Sequence, residues 1–389
     1  MRPVESPVGT TVSWAAGRVA PLDDWRALEQ IIAGARVIGL AEFAHVQPEC
    51  LALRNRMLEY LVTQQGLTAL AAETGFTYSV AVDEYVLGRG SAEPLPEVVH
   101  GVFAWNPNQV AENRELIRWM REYNGLSSTR RKVRFHGIDL NGFRPGTEIF
   151  ARARQAADDA LSYIGARDAR LAESFAERLR SGLSHFDGSK HASLSASQWR
   201  DFSASLVELA AAFEQQRAAW LKQGTALDYE RARRNVRLVQ QHDADFHAAP
   251  AAGSHADTRD AAMAENLEWV LEQEGPQGRV MLFASFNHLT KGPNPYYEER
   301  QLGRLLEQRL GRQYVAIGTY WPSESSAGRR NDANGLADPL LRPLAALSPE
   351  QSFLLAMNER PFDARWMSAR GSFFDAIIFM KVREQPYEW

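Results

Sequence analysis

Polar side chains with catalytic potential follow four short apolar runs of this sequence. In chain order they are Glu42, His45, Glu73, Asp139, Ser285 and His288. An unperturbed histidine titrates near neutral pH, so it can act as a general base on water. A glutamate within reach can hold the imidazole in one tautomer and stabilise its charged form. These residue types therefore indicate general-base chemistry, provided that the fold brings them together.

The four apolar runs are predicted to be buried strands, because each is brief, apolar and flanked by helix-like sequence. They begin at Arg36, Leu67, Val133 and Arg279. In an open parallel sheet, the carboxyl ends of the strands share one edge, and ligands bind there. We therefore expect the glutamates, the aspartate and the histidines to meet in one cleft. This expectation is the main indication that the chain is an enzyme.

Several of these residues also have a structural interpretation. Glu42 and His45 are three residues apart and could be a pair on a surface loop. Glu73 ends a run too apolar to be exposed, so its carboxylate needs a partner, and Arg54 is a candidate. That pair would equally well be a structural salt bridge at a strand end. Asp139 would either orient another side chain or cap the turn that follows it.

His288 could donate to a developing oxyanion or protonate a leaving group, or it could be a satisfied structural histidine. Ser285 is not a nucleophile elbow, because no Gly-x-Ser-x-Gly surrounds it. Histidines and carboxylates together could ligate a zinc-like or iron-like ion. We nevertheless predict no metal site, because the sequence has no His-Glu-x-x-His or paired-histidine spacing. Glycines are dispersed and form no phosphate-binding loop, so nucleotide binding is not supported.

Bulk composition narrows the function class. Hydrophobic residues make up 45% and charged residues 24% of the 389 residues, which is ordinary for a globular protein. The net charge of −4 provides no basic surface for nucleic acid. The single cysteine excludes an intramolecular disulfide and a thiolate metal cluster. Since we find no signal peptide or membrane span, we expect a cytoplasmic protein with a small-molecule substrate and no membrane partner. The oligomeric state is left open.

The order of elements indicates an α/β fold with a mostly parallel sheet flanked by helices. Residues 147–274 differ from the rest of the chain in composition and pattern. Ala, Arg, Gln and Glu dominate there, and apolar positions recur at helical spacing. We predict an α/β core of residues 1–146 and 275–389, with residues 147–274 as a large inserted helical cap over the cleft. Caps shape substrate pockets. Phe103 and Trp105 would line an apolar wall of that pocket, or would merely pack a loop onto the core.

An ordered set of short motifs resembles the erythromycin esterase family. The first is Gly39-Leu-Ala-Glu-Phe-Ala-His45, which is similar to the Gly-Glu-x-Ser/Thr-His segment of that family. The others follow in the same order, so the resemblance extends from about residue 36 to residue 320. They are Ala72-Glu-Thr-Gly-Phe76, Trp119-Met-Arg-Glu-Tyr-Asn124, Gly137-Ile-Asp139, Arg259-Asp-x-x-Met263-x-x-Asn266 and Asn287-His288.

The resemblance implies an α/β enzyme that opens macrolide lactone rings with water activated by a histidine. It implies no covalent intermediate and no dissociable cofactor, although a divalent metal has been suggested for parts of the family. By this resemblance His45 is the general base, and Glu42 and Glu73 are the carboxylates beside it. Arg54, Arg259 and His288 match positions that the resemblance places in the cleft, and we hypothesise that they polarise the carbonyl and stabilise the oxyanion.

Two positions depart from the family pattern. Macrolide-inactivating members have a histidine where this chain has Ser285, and a serine or threonine where it has Ala44. The first change removes an imidazole, which can donate a proton and change its charge near neutral pH. The second removes a hydroxyl that could form a hydrogen bond to a residue of the site. Our leading hypothesis is a hydrolase that opens an ester or lactone of a bulky natural product. The alternatives are a natural-product tailoring enzyme that uses the same groups for proton abstraction, elimination or cyclisation, and a catalytically idle binding protein.

Overall fold

The computed structural model describes residues 12–22, 25–43, 47–89, 110–126, 131–140, 149–184, 193–252, 255–292, 300–321, 341–348, 351–357 and 373–382. Within these residues the centre of the fold is an eight-stranded sheet in the order β1-β7-β8-β6-β2-β5-β3-β4. The strands are β1 (Val19–Pro21), β2 (Val37–Glu42), β3 (Ala69–Gly75), β4 (Arg134–Asp139), β5 (Val280–Ser285), β6 (Tyr314–Tyr320), β7 (Phe353–Ala356) and β8 (Ala376–Phe379).

Most strand pairs in the sheet are parallel. β2 pairs with β5 and β6, β3 pairs with β4 and β5, and β6 pairs with β8, all in parallel. The antiparallel pairs among the described strands are those that β7 forms with β8 and with the edge strand β1. All six residues of β2 are buried, as expected for a parallel strand with both faces covered. The predicted α/β fold with a mostly parallel sheet is confirmed.

Helices surround the sheet. They are α1 (Arg26–Ile31), α2 (Pro48–Gln65), α3 (Phe76–Val86), α4 (Ala111–Gly125), α5 (Ile149–Gly165), α6 (Ala169–Ser184), α7 (Ala196–Trp220), α8 (Ala226–Ala252), α9 (His255–Glu274), α10 (Phe286–Leu289), α11 (Leu302–Leu310) and α12 (Leu341–Ala345). Pro48 suits the first turn of α2, where its missing N–H has no helical acceptor, and left-handed Gly66 ends that helix. None of the described helices is long and apolar enough to cross a membrane.

The predicted helical insertion is confirmed, because α5 to α9 lie between β4 and β5 in the chain. Its last helix, α9, packs against β3 and β4. The division of the chain at residues 147 and 274 into domains, and the role of the insertion as a cap, stay predictions. Arg259 and Asp260 belong to α9, so the insertion supplies charged side chains to the carboxyl edge of the sheet.

A buried ion pair fixes the inserted segment to the core. The carboxylate of Asp83 in α3 accepts from Nη2 of Arg134 in β4 at 2.5 Å and from Nη2 of Arg231 in α8 at 2.6 Å. Burial raises the pKa of Asp83, but the two guanidinium groups outweigh that effect and lower the pKa below its ordinary value. The carboxylate is therefore held ionised, and its loss would leave two cations without this partner.

Gly137 allows β3 and β4 to approach closely beside the site. The register of the two strands shifts between Ala72 and Gly75. A Cβ atom at Gly137 would lie 2.6 Å from the carbonyl oxygens of Thr74 and Gly75. These oxygens belong to the backbone, so they cannot rotate away as a side chain would.

We expect Gly137→Ala to lower the free energy of unfolding by about 1–3 kcal/mol, because the added methyl group forces the strands apart. Urea denaturation of the variant and of wild type measures the effect. Gly125→Ala is the matched control, since a Cβ there meets nothing within 4 Å and should be neutral or slightly stabilising. Equal losses at the two glycines would contradict the steric cause.

Candidate active site

Four of the predicted site residues lie at the carboxyl ends of neighbouring parallel strands. Glu42 ends β2 and is paired in register with Ser285, which ends β5. Glu73 lies near the end of β3, and Asp139 ends β4 opposite Gly75. The sheet order places these four strands side by side. The predicted common edge is therefore confirmed for these residues, whereas His45, Phe103 and Trp105 lie outside the described residues.

Arg259 connects the carboxylates of this edge. Its Nε and Nη2 donate to the two oxygens of Asp139 at 2.8 and 2.6 Å, and its Nη2 also donates to Glu73 at 2.8 Å. Burial lowers the pKa of Arg259, but the surrounding carboxylates, Asp139 first, raise it well above its ordinary value. Asp139 Oδ1 also accepts from the N–H of Leu140 at 2.8 Å, so this carboxylate binds the backbone at the end of β4 as well as orienting Arg259.

Within the described part of the chain, three groups hold Glu73. Its Oε1 accepts from Arg259 and lies 3.2 Å from Nε2 of His288, and its Oε2 accepts from the backbone N–H of Ser285 at 2.7 Å. The predicted pairing with Arg54 is wrong, because the guanidinium that binds Glu73 comes from α9 and not from α2. Arg259 lies on α9, within reach of Glu73, whereas Arg54 lies on α2 and donates to Asn113.

Arg54 is fully buried and belongs to a different part of the site. Its Nη1 donates to Asn113 at 2.8 Å, its Nε and Nη2 donate to Asn55, and its guanidinium lies 5.0 Å from the ring centre of Phe283. Burial lowers the pKa of Arg54 to about 10, and the negative charge of Glu42 opposes that shift. Arg54 is thus electrostatically coupled to Glu42, at the β2 side of the edge.

His288 lies in α10, the short helix that begins directly after Ser285. Its Nδ1 is 2.7 Å from Asp260 Oδ1, and its Nε2 is 3.0 Å from Nη1 of Arg259. Burial lowers the pKa of His288, but the carboxylates of Asp260 and Glu73 outweigh burial and raise it to about 10. These carboxylates favour the charged form of His288, whereas Nη1 of Arg259 can donate to Nε2 only when that nitrogen carries no proton. The charged form can donate a proton or stabilise negative charge.

Sequence reasoning did not identify Asp260 as a site residue. It is completely buried, and its second oxygen accepts from the N–H of Leu302 at 2.8 Å. The available signal was an acidic residue adjacent to Arg259 within an apolar helical pattern, because such a buried charge needs a partner. Asn266, two turns further along α9, donates to the carbonyl of Ile138 at 2.7 Å and so ties the same helix to β4.

The network combines three carboxylates with two cationic side chains. Arg259 supplies positive charge between Glu73 and Asp139. Within the part of the chain that the structure describes, no group of three or more His, Cys, Asp or Glu side chains is arranged to hold a metal ion. The expected absence of a metal and of a cofactor stays a prediction. Chemically, the network offers oriented carboxylates and a buried proton donor.

Comparisons with known proteins agree with the motif pattern. A family model described as Erythromycin esterase matches residues 62–342. Erythromycin esterase type II of Escherichia coli is 23% identical over 313 residues, covering 76% of this chain and 71% of that protein. The crystal structure of a Bacillus cereus protein has a TM-score of 0.75 at 17% identity, covering 96% of this chain and 97% of that one. A mutant of the erythromycin esterase EreC in its open conformation has a TM-score of 0.67 at 20% identity, covering 93% and 96%. At these identities the two structures show the fold alone.

Proposed function

The chain belongs to the erythromycin esterase family, and from this premise we propose that it hydrolyses an ester or lactone of a bulky natural product. The observation that carries the proposal is the buried charge network at the carboxyl edge of the sheet, in which Arg259 and His288 surround the carboxylate of Glu73. Fixed charges in a site shielded from water stabilise a developing oxyanion strongly, because they need not reorganise during the reaction.

The described contacts suggest separate roles for the candidate residues. His288, with a pKa of about 10, is a proton donor at neutral pH. Glu73 accepts from the Ser285 N–H and faces two cations, so it orients the network more readily than it takes a proton from water. We therefore assign the general base to His45, on the strength of the family motif, with Glu42 as the carboxylate that orients it.

In the proposed reaction, His45 takes a proton from water while the water oxygen bonds to the carbonyl carbon. The electron pair of the carbonyl moves to its oxygen, and the charges of Arg54 and His288 stabilise the oxyanion. Collapse of the oxyanion breaks the bond to the leaving oxygen, which receives a proton from His288. Arg259 is a positioning residue in this reaction, because its described contacts are with His288, Glu73 and Asp139. No dissociable cofactor takes part.

A second candidate keeps the same base but not hydrolysis. Ser285 stands where macrolide-inactivating members have a histidine, so one charge-switching donor of the macrolide reaction is missing. In an elimination or a cyclisation, the same base would take a proton from the substrate and not from water. The tailoring reaction would then release a product without added water.

We expect hydrolysis in ¹⁸O-enriched water to place one ¹⁸O atom in the product acid. The measurement is mass spectrometry of a panel of macrolides and other natural-product esters and lactones after incubation with the enzyme. Because attack by water forms the new carbon–oxygen bond, the product gains the mass of one labelled water. An enzyme-dependent product that lacks the label would contradict hydrolysis and favour the tailoring reaction.

A further inference from the structure

We propose that Asp260 is a positioning residue that holds His288 in its charged form, with the transferable proton on Nε2. This inference rests on the proposed function, in which His288 donates a proton to the leaving oxygen. It concerns a residue of α9 that is completely buried, and it accounts for how a buried histidine can donate at neutral pH.

Both oxygens of Asp260 have a fixed partner. Oδ1 lies 2.7 Å from Nδ1 of His288, and Oδ2 accepts from the N–H of Leu302 at 2.8 Å. A buried carboxylate without partners would take up a proton, because desolvation disfavours its charge. Desolvation raises the pKa of Asp260, and the imidazolium and the backbone N–H of Leu302 oppose that rise. The Nδ1 proton is thereby committed to Asp260, which leaves Nε2 as the atom that exchanges a proton.

Nε2 has two charged neighbours, and each of them suits a different protonation state. When it carries a proton, Glu73 Oε1 is the acceptor that lies 3.2 Å away. When it has lost the proton, its lone pair can accept from Nη1 of Arg259 at 3.0 Å. Proton transfer from Nε2 therefore requires no movement of the ring away from Asp260. Among the described residues, the charges that face the imidazole are the carboxylates of Asp260 and Glu73 and the guanidinium of Arg259.

The start of α11 holds the two members of the pair together. Leu302, its first residue, donates to Asp260, and the side-chain amide of the preceding Gln301 donates to the carbonyl of Asn287 beside His288. The next residue is Gly303, and a Cβ atom there would collide with the backbone oxygens of Leu289 and Thr290. This close backbone packing fixes the distance between α10, which carries the histidine, and α9, which carries the carboxylate.

The test is a histidine titration by NMR, with ¹⁵N-labelled imidazole rings, in wild type and in Asp260→Asn. We expect both ring nitrogens of wild-type His288 to be protonated at pH 8. In Asp260→Asn the titration midpoint should fall by more than about one pH unit, because the nearest carboxylate is gone. The His288 signals are assigned by their loss in His288→Asn. An unchanged midpoint in Asp260→Asn, or a neutral ring in wild type at pH 8, would overturn the proposal.

The matched control is Glu274→Gln, which removes the carboxylate 3.3 Å from a different buried histidine, His136. It should leave the His288 midpoint where it is in wild type. Asp260→Glu retains the charge and should restore part of the shift. If Asp260→Asn does not fold, the wild-type titration alone still decides whether His288 is charged. Because the titration uses no substrate, its result is independent of whether hydrolysis itself is found.

With a substrate in hand, the kinetic result expected for Asp260→Asn is a lower kcat with little change in KM, since Asp260 acts through His288 and not on the ground-state ligand. The alkaline limb of the rate profile should also move to lower pH. A role in folding alone would lower the amount of active enzyme without moving that limb.

Discussion

Replacement of Arg259 by methionine is expected to lower the free energy of unfolding by about 3–5 kcal/mol, the usual cost of removing one member of a buried ion pair. Methionine has a similar length but no charge, so Asp139 and Glu73 would lose their guanidinium partner in a buried site. We also expect hydrolysis to be abolished, because Glu73 and His288 would lose the group that holds them. Urea denaturation and the ester assay measure the two effects.

The control for Arg259→Met is the same substitution in an exposed ion pair. Arg178 contacts Glu208 at 2.6 Å, as short as the contact of Arg259 with Asp139, but both side chains of this pair are exposed. Removal of an exposed pair usually costs less than about 1 kcal/mol. Arg259→Lys should be intermediate, since lysine keeps the charge but cannot bind a carboxylate with two parallel donors. Similar losses for Arg259→Met and Arg178→Met would show that burial of the network adds nothing to stability.

Removal of the proposed base, as His45→Ala, is expected to reduce the rate of hydrolysis by about 10²–10⁴, the usual contribution of a general base. The contacts of the described residues leave few other groups for this role. The carboxylates of Asp260 and Glu73 favour the charged form of His288, and Glu73 faces Arg259 and His288 and accepts from a backbone N–H. The measurement is kcat/KM across pH for wild type and the variant. Near-full activity of His45→Ala would show that the base is elsewhere.

Two further observations separate a histidine base from a carboxylate base. Added imidazole should restore part of the activity of His45→Ala, because it can occupy the vacated volume and accept the proton. Wild type should lose activity as the pH falls through about 6.5, the ordinary range of histidine. If the base were a carboxylate, added imidazole would have no effect, and the acid limb of the rate profile would lie below the range of histidine.

Much of the sheet could be predicted from sequence. The apolar runs that begin at Arg36 and Arg279 correspond to β2 and β5, with a displacement of one residue. In an α/β chain, a short continuous apolar run between helical patterns is typical of a buried parallel strand. The edge strand β1 was not predicted, because its three residues are too few to show a strand pattern and one of them is proline.

The site was only partly predictable for a different reason. Strand ends can be placed from sequence, so the common edge of Glu42, Glu73, Asp139 and Ser285 was foreseen. The partner of a buried carboxylate depends on which helix faces it, and nothing in a local pattern relates Arg259 to a strand 120 residues earlier. Asp260 was missed because its partners, an imidazole and a backbone N–H, are likewise distant in the chain.

At position 285 the backbone and the side chain have separate roles, because it is the backbone N–H of Ser285 that donates to Glu73. Every residue type except proline offers the same N–H, so the support of Glu73 does not depend on which side chain stands there. The side chain can change from one relative to another without disturbing the carboxylate. A change of side chain at position 285 would thus keep the N–H that supports Glu73 but remove the serine hydroxyl that accepts from the N–H of Asn287 at the start of α10.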